Sequence, residues 1–435
     1  MERSADTSRL PVEGRSPTVG GHSVVDVLRE TLAYCRDREY RGWDYCDGLS
    51  SGILHRIPVE NKWLNLMFQE TVKRAPINLR RLFLVEQRRN YKGTALFALA
   101  NLDAHRYETE TGRMIDDVDF EAEANGLTDW LVRNRSLGFH GFCGGHKHRI
   151  QNLDGQGHPN DPDMVSTSYA VKALLAASHL DDSYVRIAET SADFVVEDLD
   201  YREIDGGAKI NYHLNHPDTY YTLNAGALGG RTFADLYAAT GEETYLERAT
   251  AILDYIATKQ TERGGWYYRE PQAESHLSMD NHHNAFIVES FLRHRTASGT
   301  DRYDDTIERG LSFFSRELVA PNGAPNFDES NRFPRDIHAA ANSILLFVYA
   351  GEPELAGRVL EWTLEHMYAG DGRFYYRKGR YFTKRFTLMR WAQAWMAFAV
   401  AEYLAAVTVD SVHEDRIGTA GEFRTTALRN GTHPS

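Results

Sequence analysis

Six segments of this 435-residue chain are long enough for helices, yet carry almost no charge on any face. They read GTALFALANLDAH from Gly93, STSYAVKALLAASHL from Ser166, NAGALGGRTFADLYAAT from Asn224, HNAFIVESFLRH from His283, IHAAANSILLFVYAG from Ile337 and MRWAQAWMAFAVAEYLAA from Met389. A helix that is apolar on most faces is buried on most faces. Between these segments run charged, amphipathic ones (119–133, 184–198, 242–260, 303–317 and 354–367) that are wet on one side. The buried segments begin roughly 50 to 75 residues apart, which is the length of a helical hairpin plus a loop. Helices near 24–36 and 59–73 supply the remaining outer helix and some N-terminal structure. The pattern predicts an all-α fold, six helix pairs closed into an (α/α)6 toroid. An open solenoid of helical repeats is the alternative.

The connections are unequal. Those leading into a buried helix are long and rich in Gly, aromatic and charged residues, as in RGGWYYREPQAESHLSMDNHH and GDGRFYYRKGRYFTKRFTL. The opposite connections, such as AATGEETY and AGEPE, are short. All long loops therefore gather at one mouth, above the N-terminal ends of the inner helices, and function is expected there.

The net charge of −13 argues against nucleic acid as a partner. Nine of the 49 basic residues are Lys and 40 are Arg, which fits a GC-rich genome and a salt-adapted organism. Three scattered cysteines form neither a disulfide framework nor a thiolate zinc site. The run from Ala394 to Val409 contains Glu402 and is too short to span a bilayer. Residues 1–21 lack a hydrophobic signal segment and read as unstructured, as does 410–435. One barrel domain over 22–409, in the cytoplasm, is the expectation.

TGEETYLERATAILDYI followed by GGWYY and a polar-capped inner helix is similar to the (α/α)6 carbohydrate-active enzymes: unsaturated glucuronyl hydrolases, N-acylglucosamine 2-epimerases and related uronate-processing proteins. RRNYKGTALFALA, MDNHHNAF, RDIHAAANS and YYRKGRYFTKRFTLMRWAQAWM resemble a set of archaeal and bacterial proteins found with surface-polysaccharide genes. With the acidic composition, the resemblance extends to haloarchaeal N-glycosylation proteins that build the S-layer glycan. It covers about Arg88 to Leu404. It implies a cytoplasmic enzyme acting on an anionic sugar or lipid-linked oligosaccharide, a hexuronic acid, by hydrolysis or by epimerisation/isomerisation. It also implies contact with other glycan-assembly enzymes and no cofactor. The rival is a non-catalytic glycan-binding toroid in a surface-polysaccharide biosynthesis complex.

Asp280 and Asp336 open the fourth and fifth inner helices. Two carboxylates facing across the mouth suit acid–base chemistry on a sugar; two N-caps are the plainer alternative. His283 and His338 follow them and could carry protons, as the resemblance to the 2-epimerases also implies. Asn281 stands beside Asp280 as a substrate contact. His146 and His148 are expected as substrate contacts; with His213 and His216 they also invite a zinc reading, but the glycine-rich loops and absent H-E-x-x-H speak against metal. Arg149, Arg269, Arg377 and Arg390 fall in or beside the mouth loops and suit an anionic ligand. Tyr220, Tyr221, Trp266, Tyr267 and Trp391 offer sugar-stacking surface. No strand–Gly–helix unit exists for a nucleotide sugar.

Overall fold

The computed structural model describes residues 17–56, 61–153 and 155–414. Each uncharged segment forms a helix: Tyr91–Thr111, Met164–Ala176, Leu223–Thr240, Asn281–Ser298, Ile337–Tyr349, and Met389–Ala394 running on into Trp395–Glu414. These are inner helices one to six. Consecutive ones pack together, and the first also packs on the sixth, so the ring closes. The amphipathic segments cover it from outside: Val24–Arg36, Phe120–Arg133, Ser183–Glu189 with its continuation to Asp198, Glu243–Ala257, Asp304–Phe313 and Pro353–Met367. Lys62–Arg74 stands outside the ring, against the turn Asp47–Ser50 and the strand Ile150–Gln151. The glycines of inner helix three serve close packing. A Cβ at Gly226 would lie 1.9 Å from the Tyr221 hydroxyl, and one at Gly229 would lie 2.2 Å from Ile210.

The chain ends differ from the expected domain limits. Thr18–Val19, inside the stretch expected to be unstructured, pairs with His22–Ser23, and the last helix runs past 409 to Glu414. Residues 1–16 and 415–435 lie outside the described residues.

One repeated bond ties the long loops to the mouth. The first backbone N–H of inner helices two to five donates to an aromatic residue of the following loop: Met164 to Tyr212, Leu223 to Tyr268, Asn281 to Phe327, Ile337 to Tyr376. Met389 of inner helix six donates to Trp43 of the N-terminal segment, at 2.8 Å. These N–H groups are orphans of helix geometry, so the same partner recurs around the ring. Further along the inner helices, a charged network fills the bore. Lys172 donates to Glu289 and to the Tyr349 hydroxyl, Arg231 to Glu289 and Ser168, and Tyr349 to Glu402.

Candidate active site

Four inner helices begin on an Asn or Asp whose side chain caps the first turn. Asn90 accepts from Gly93 N–H, Asp163 from Ser166, Asp280 from His283 and Asp336 from His338. Thr222 and Leu388 hold the equivalent places without a side-chain cap. Two residues after each of these six positions stand Lys92, Val165, Asn224, His282, His338 and Arg390. They share one register around the barrel and form its floor below the loops. His282 and His338 meet there, ring centroids 4.6 Å apart, and the Trp391 ring lies 4.3 Å from that of His338.

Several of these groups lack partners. Neither ring nitrogen of His338, which is 2% exposed, has a hydrogen bond among the described residues, and the Asn224 side-chain oxygen has none either. Lys92 is 6% exposed and makes no ion pair or hydrogen bond among the described residues. Its Nζ lies 5.7 Å from the centre of the Trp395 ring. Buried polar groups are normally satisfied, so unsatisfied ones at His338 and Asn224, beside an unpaired Lys92, mark a place for a ligand.

Asp280 holds two imidazoles. Its Oδ2 lies 2.8 Å from His283 Nδ1 and its Oδ1 3.2 Å from His282 Nδ1. Burial opposes its ionisation, but the two histidines outweigh that and hold the carboxyl below its usual range. Burial, then the neighbouring His283, pushes His282 down to about 3. Burial, then His282, pushes His338 well below the usual value. Both rings are therefore neutral near pH 7.

Asp336 is engaged otherwise. It bonds Arg377, which pairs opposite it on the mouth strand, and accepts the Trp391 indole N–H at 2.8 Å. With its cap, that occupies the carboxylate. Asp280 and Asp336 are thus anchored separately, the one by two imidazoles and the other by Arg377 and Trp391. Arg390 is likewise held, bonding Asp44 at 2.7 and 2.8 Å. Burial disfavours the Asp44 carboxylate, yet Arg390 more than compensates and keeps it well below its usual range.

Other expected residues divide between mouth and core. His146 and His148 stand beside Asp44, and Arg149 follows them partly exposed in the same loop. Arg269 sits over Tyr220, its Cζ 3.6 Å from the ring centre. Trp391 stacks on Tyr45 at 4.2 Å while facing His338. Trp266, Tyr221 and Asn281 depart from the mouth. Trp266 is buried, donates to Ile256 O and stacks on Phe291; Tyr221 packs on Tyr255 and Gly226. Asn281 bonds Leu318 O and Ser343, fastening the fourth helix to its neighbours. Tyr267 packs against the core, and Tyr268 instead approaches His283, at 4.4 Å.

Sequence reasoning passed over His282, Lys92, Asp44, Asn224 and Tyr268. The available signal was the loop repeat: NYH, YYR, NFD, YYR and GWD place a polar residue directly after each tethering aromatic. Two groups, Asp44–His146–His148 and Asp280–His282–His283, bring three donor atoms within 4.8 Å of one another. A cation at the first would compete with Arg390 for Asp44, and one at the second would replace the Asp280–imidazole contacts. His213 and His216 pack on each other, 5.5 Å apart.

No family model and no curated protein sequence matches the chain. Solved structures do. Cellobiose 2-epimerase from Bacillus thermoamylovorans aligns with TM-score 0.55 and 12% identity, over 73% of this chain and 87% of that one. A D-mannose isomerase aligns with TM-score 0.56 and 11% identity, over 74% and 87%. An unsaturated glucuronyl hydrolase specific for heparin aligns with TM-score 0.57 and 10% identity, over 89% and 98%. Among the described residues, no helix is long and apolar enough to cross a membrane. The chain has the (α/α)6 toroid fold that these sugar epimerases, isomerases and hydrolases share.

Proposed function

We propose that the protein is a carbohydrate-active enzyme that moves protons on a bound sugar, as an epimerase or isomerase. The observation that carries this is the facing pair of neutral imidazoles, His282 held by Asp280 and His338 without partners, on a floor of unsatisfied polar groups. A neutral imidazole offers both a lone pair and an N–H. One ring can take the proton from the carbon beside a carbonyl or carboxylate. As the imidazolium so formed it can return that proton to the same carbon or to its neighbour, while the N–H of the other ring hydrogen-bonds the oxygen that gains charge. His283 shares Asp280 and is the second candidate for the base. Tyr268, Trp391 and Tyr45 supply the stacking walls.

Hydrolysis is the second reading. It draws on Asp163, whose carboxyl burial raises despite its bonds to Ser166, so that it could be held as an acid. The finer assignment follows the sequence resemblance to the haloarchaeal N-glycosylation protein AglQ: a cytoplasmic step on a hexuronic acid during assembly of an S-layer N-glycan.

The test is deuterium incorporation. Incubation with glucuronate, mannose or cellobiose in heavy water should place deuterium on the carbon beside the carbonyl or carboxylate of one of them. His282→Asn and His338→Asn should abolish it. Cleavage of an oligosaccharide without exchange would replace this reading by hydrolysis. The glycan of a deletion strain would then identify the sugar.

A further inference from the structure

We infer that Lys92 is the contact for an acidic group on the substrate. This rests on the sugar-processing reading above and assigns the residue that selects among sugars.

Arg377 and Arg390 were the natural candidates for an anion, but both are bonded to buried carboxylates, Asp336 and Asp44. Lys92 differs. It occupies the floor register together with Asn224, His282, His338 and Arg390, and it is 6% exposed. No carboxylate pairs with it among the described residues. It also stands in the first turn of its helix, where the backbone dipole disfavours a cation. Its surroundings are mostly positive or neutral. Arg390 crowds it from the sixth helix, so close that a Cβ on the adjacent Gly93 would lie 3.2 Å from Arg390 Cβ. His282 and His338 on the fourth and fifth helices and His146 in its loop all feel its charge. Asp163 on the second helix and Asp44 in the N-terminal segment oppose this, each less strongly than Arg390 acts. Burial, then Arg390, brings Lys92 down to about 7.

An isolated buried cation costs stability unless something compensates it. A sugar carboxylate on the floor would do so, and its charge would draw a proton onto Nζ. The placement of Arg269 over Tyr220 leaves that arginine above the same mouth as a secondary attraction.

The experiment is calorimetric titration of the whole protein with glucuronate and with glucose, in buffers of different ionisation enthalpy. At pH 8 glucuronate should bind with net proton uptake and glucose without it. Glucuronate affinity should fall as pH rises above about 7, because Lys92 must then be protonated first. Lys92→Met should weaken glucuronate at least about tenfold, the worth of one charged hydrogen bond, and leave glucose within about twofold. Wild-type protein that binds glucuronate without proton uptake overturns the inference whether or not the variant folds. Equal losses for both sugars in Lys92→Met also overturn it and leave the sugar reading intact. Wild-type protein that binds neither sugar and exchanges deuterium into none overturns both.

Discussion

Exchanging each capping aspartate for Asn separates anchoring from chemistry. Asn is a good N-cap, so Asp280→Asn and Asp336→Asn both retain the first-turn bond and lose only the charge. At Asp336 that charge balances Arg377, whose side chain is 18% exposed. Breaking a buried pair from one side costs about 3–5 kcal/mol. Residual solvent at Arg377 places this pair just below that range, at about 2–3 kcal/mol. A folded unit of this length unfolds with roughly 0.8 kcal/mol/K of entropy, so the melting temperature should drop by about 3–4 °C. At Asp280 the partners are two imidazoles, and Asn still offers an acceptor, so the cost should stay near 1 kcal/mol, or about 1 °C. The catalytic effect should run the other way. Asp280 orients His282 and His283, and its loss should slow deuterium exchange about 100-fold or more. Calorimetry and exchange followed by NMR on the two single variants and the double variant give the comparison. Stability costs should add, because the two carboxylates share no partner. An Asp280→Asn protein with wild-type exchange would refute the orienting role, and an unaltered melting temperature in Asp336→Asn would refute the anchoring one.

His338→Phe should keep or raise the melting temperature at pH 7, since it replaces an unsatisfied imidazole by a ring among Trp391, Trp395 and Phe286; exchange should vanish, and retained exchange would exclude His338. Folded His282 and His338 titrate below the unfolded value of about 6.5, so the unfolded chain binds more protons in acid. Urea midpoints should therefore be level with respect to these groups above pH 6.5 and fall below it, by about 2 kcal/mol per histidine between pH 6.5 and 5, and His282→Asn should flatten the slope. Asp103 behaves oppositely: burial, then Glu402, raises its carboxyl well above the usual range, so its contribution falls as pH rises from about 4. Asp103→Asn should accordingly stabilise the protein by about 1–2 kcal/mol at pH 8 and not at pH 4, and an equal effect at both pH values would show that charge is not the cause.

Much of the architecture was legible locally. A helix without a wet face has one place to go, so the uncharged segments from Gly93 to Met389 announced an inner ring, and the long loops announced its mouth. The caps were legible too, because Asp280 and Asp336 precede apolar runs in the usual way. Which neighbour faces the bore was another matter. Successive residues on a helix point about 100° apart, so choosing His282 over His283 needs the rotational phase of the helix. Packing against adjacent helices sets that phase. The same holds in the loops, where Tyr268 meets the histidines while Trp266 and Tyr267 turn to the core.

Charge pairing was hidden for a related reason. Arg390 and Asp44 are 346 residues apart in the chain, and Asp336 meets Arg377 only when a loop strand folds back beside it. The periodic placing of apolar, capping and aromatic residues by itself determined a six-pair ring with its loops on one side, because those preferences act within a turn or a strand. The tertiary structure alone decided which charges are consumed and which, like that of Lys92, are left over, because compensation depends on distance through space.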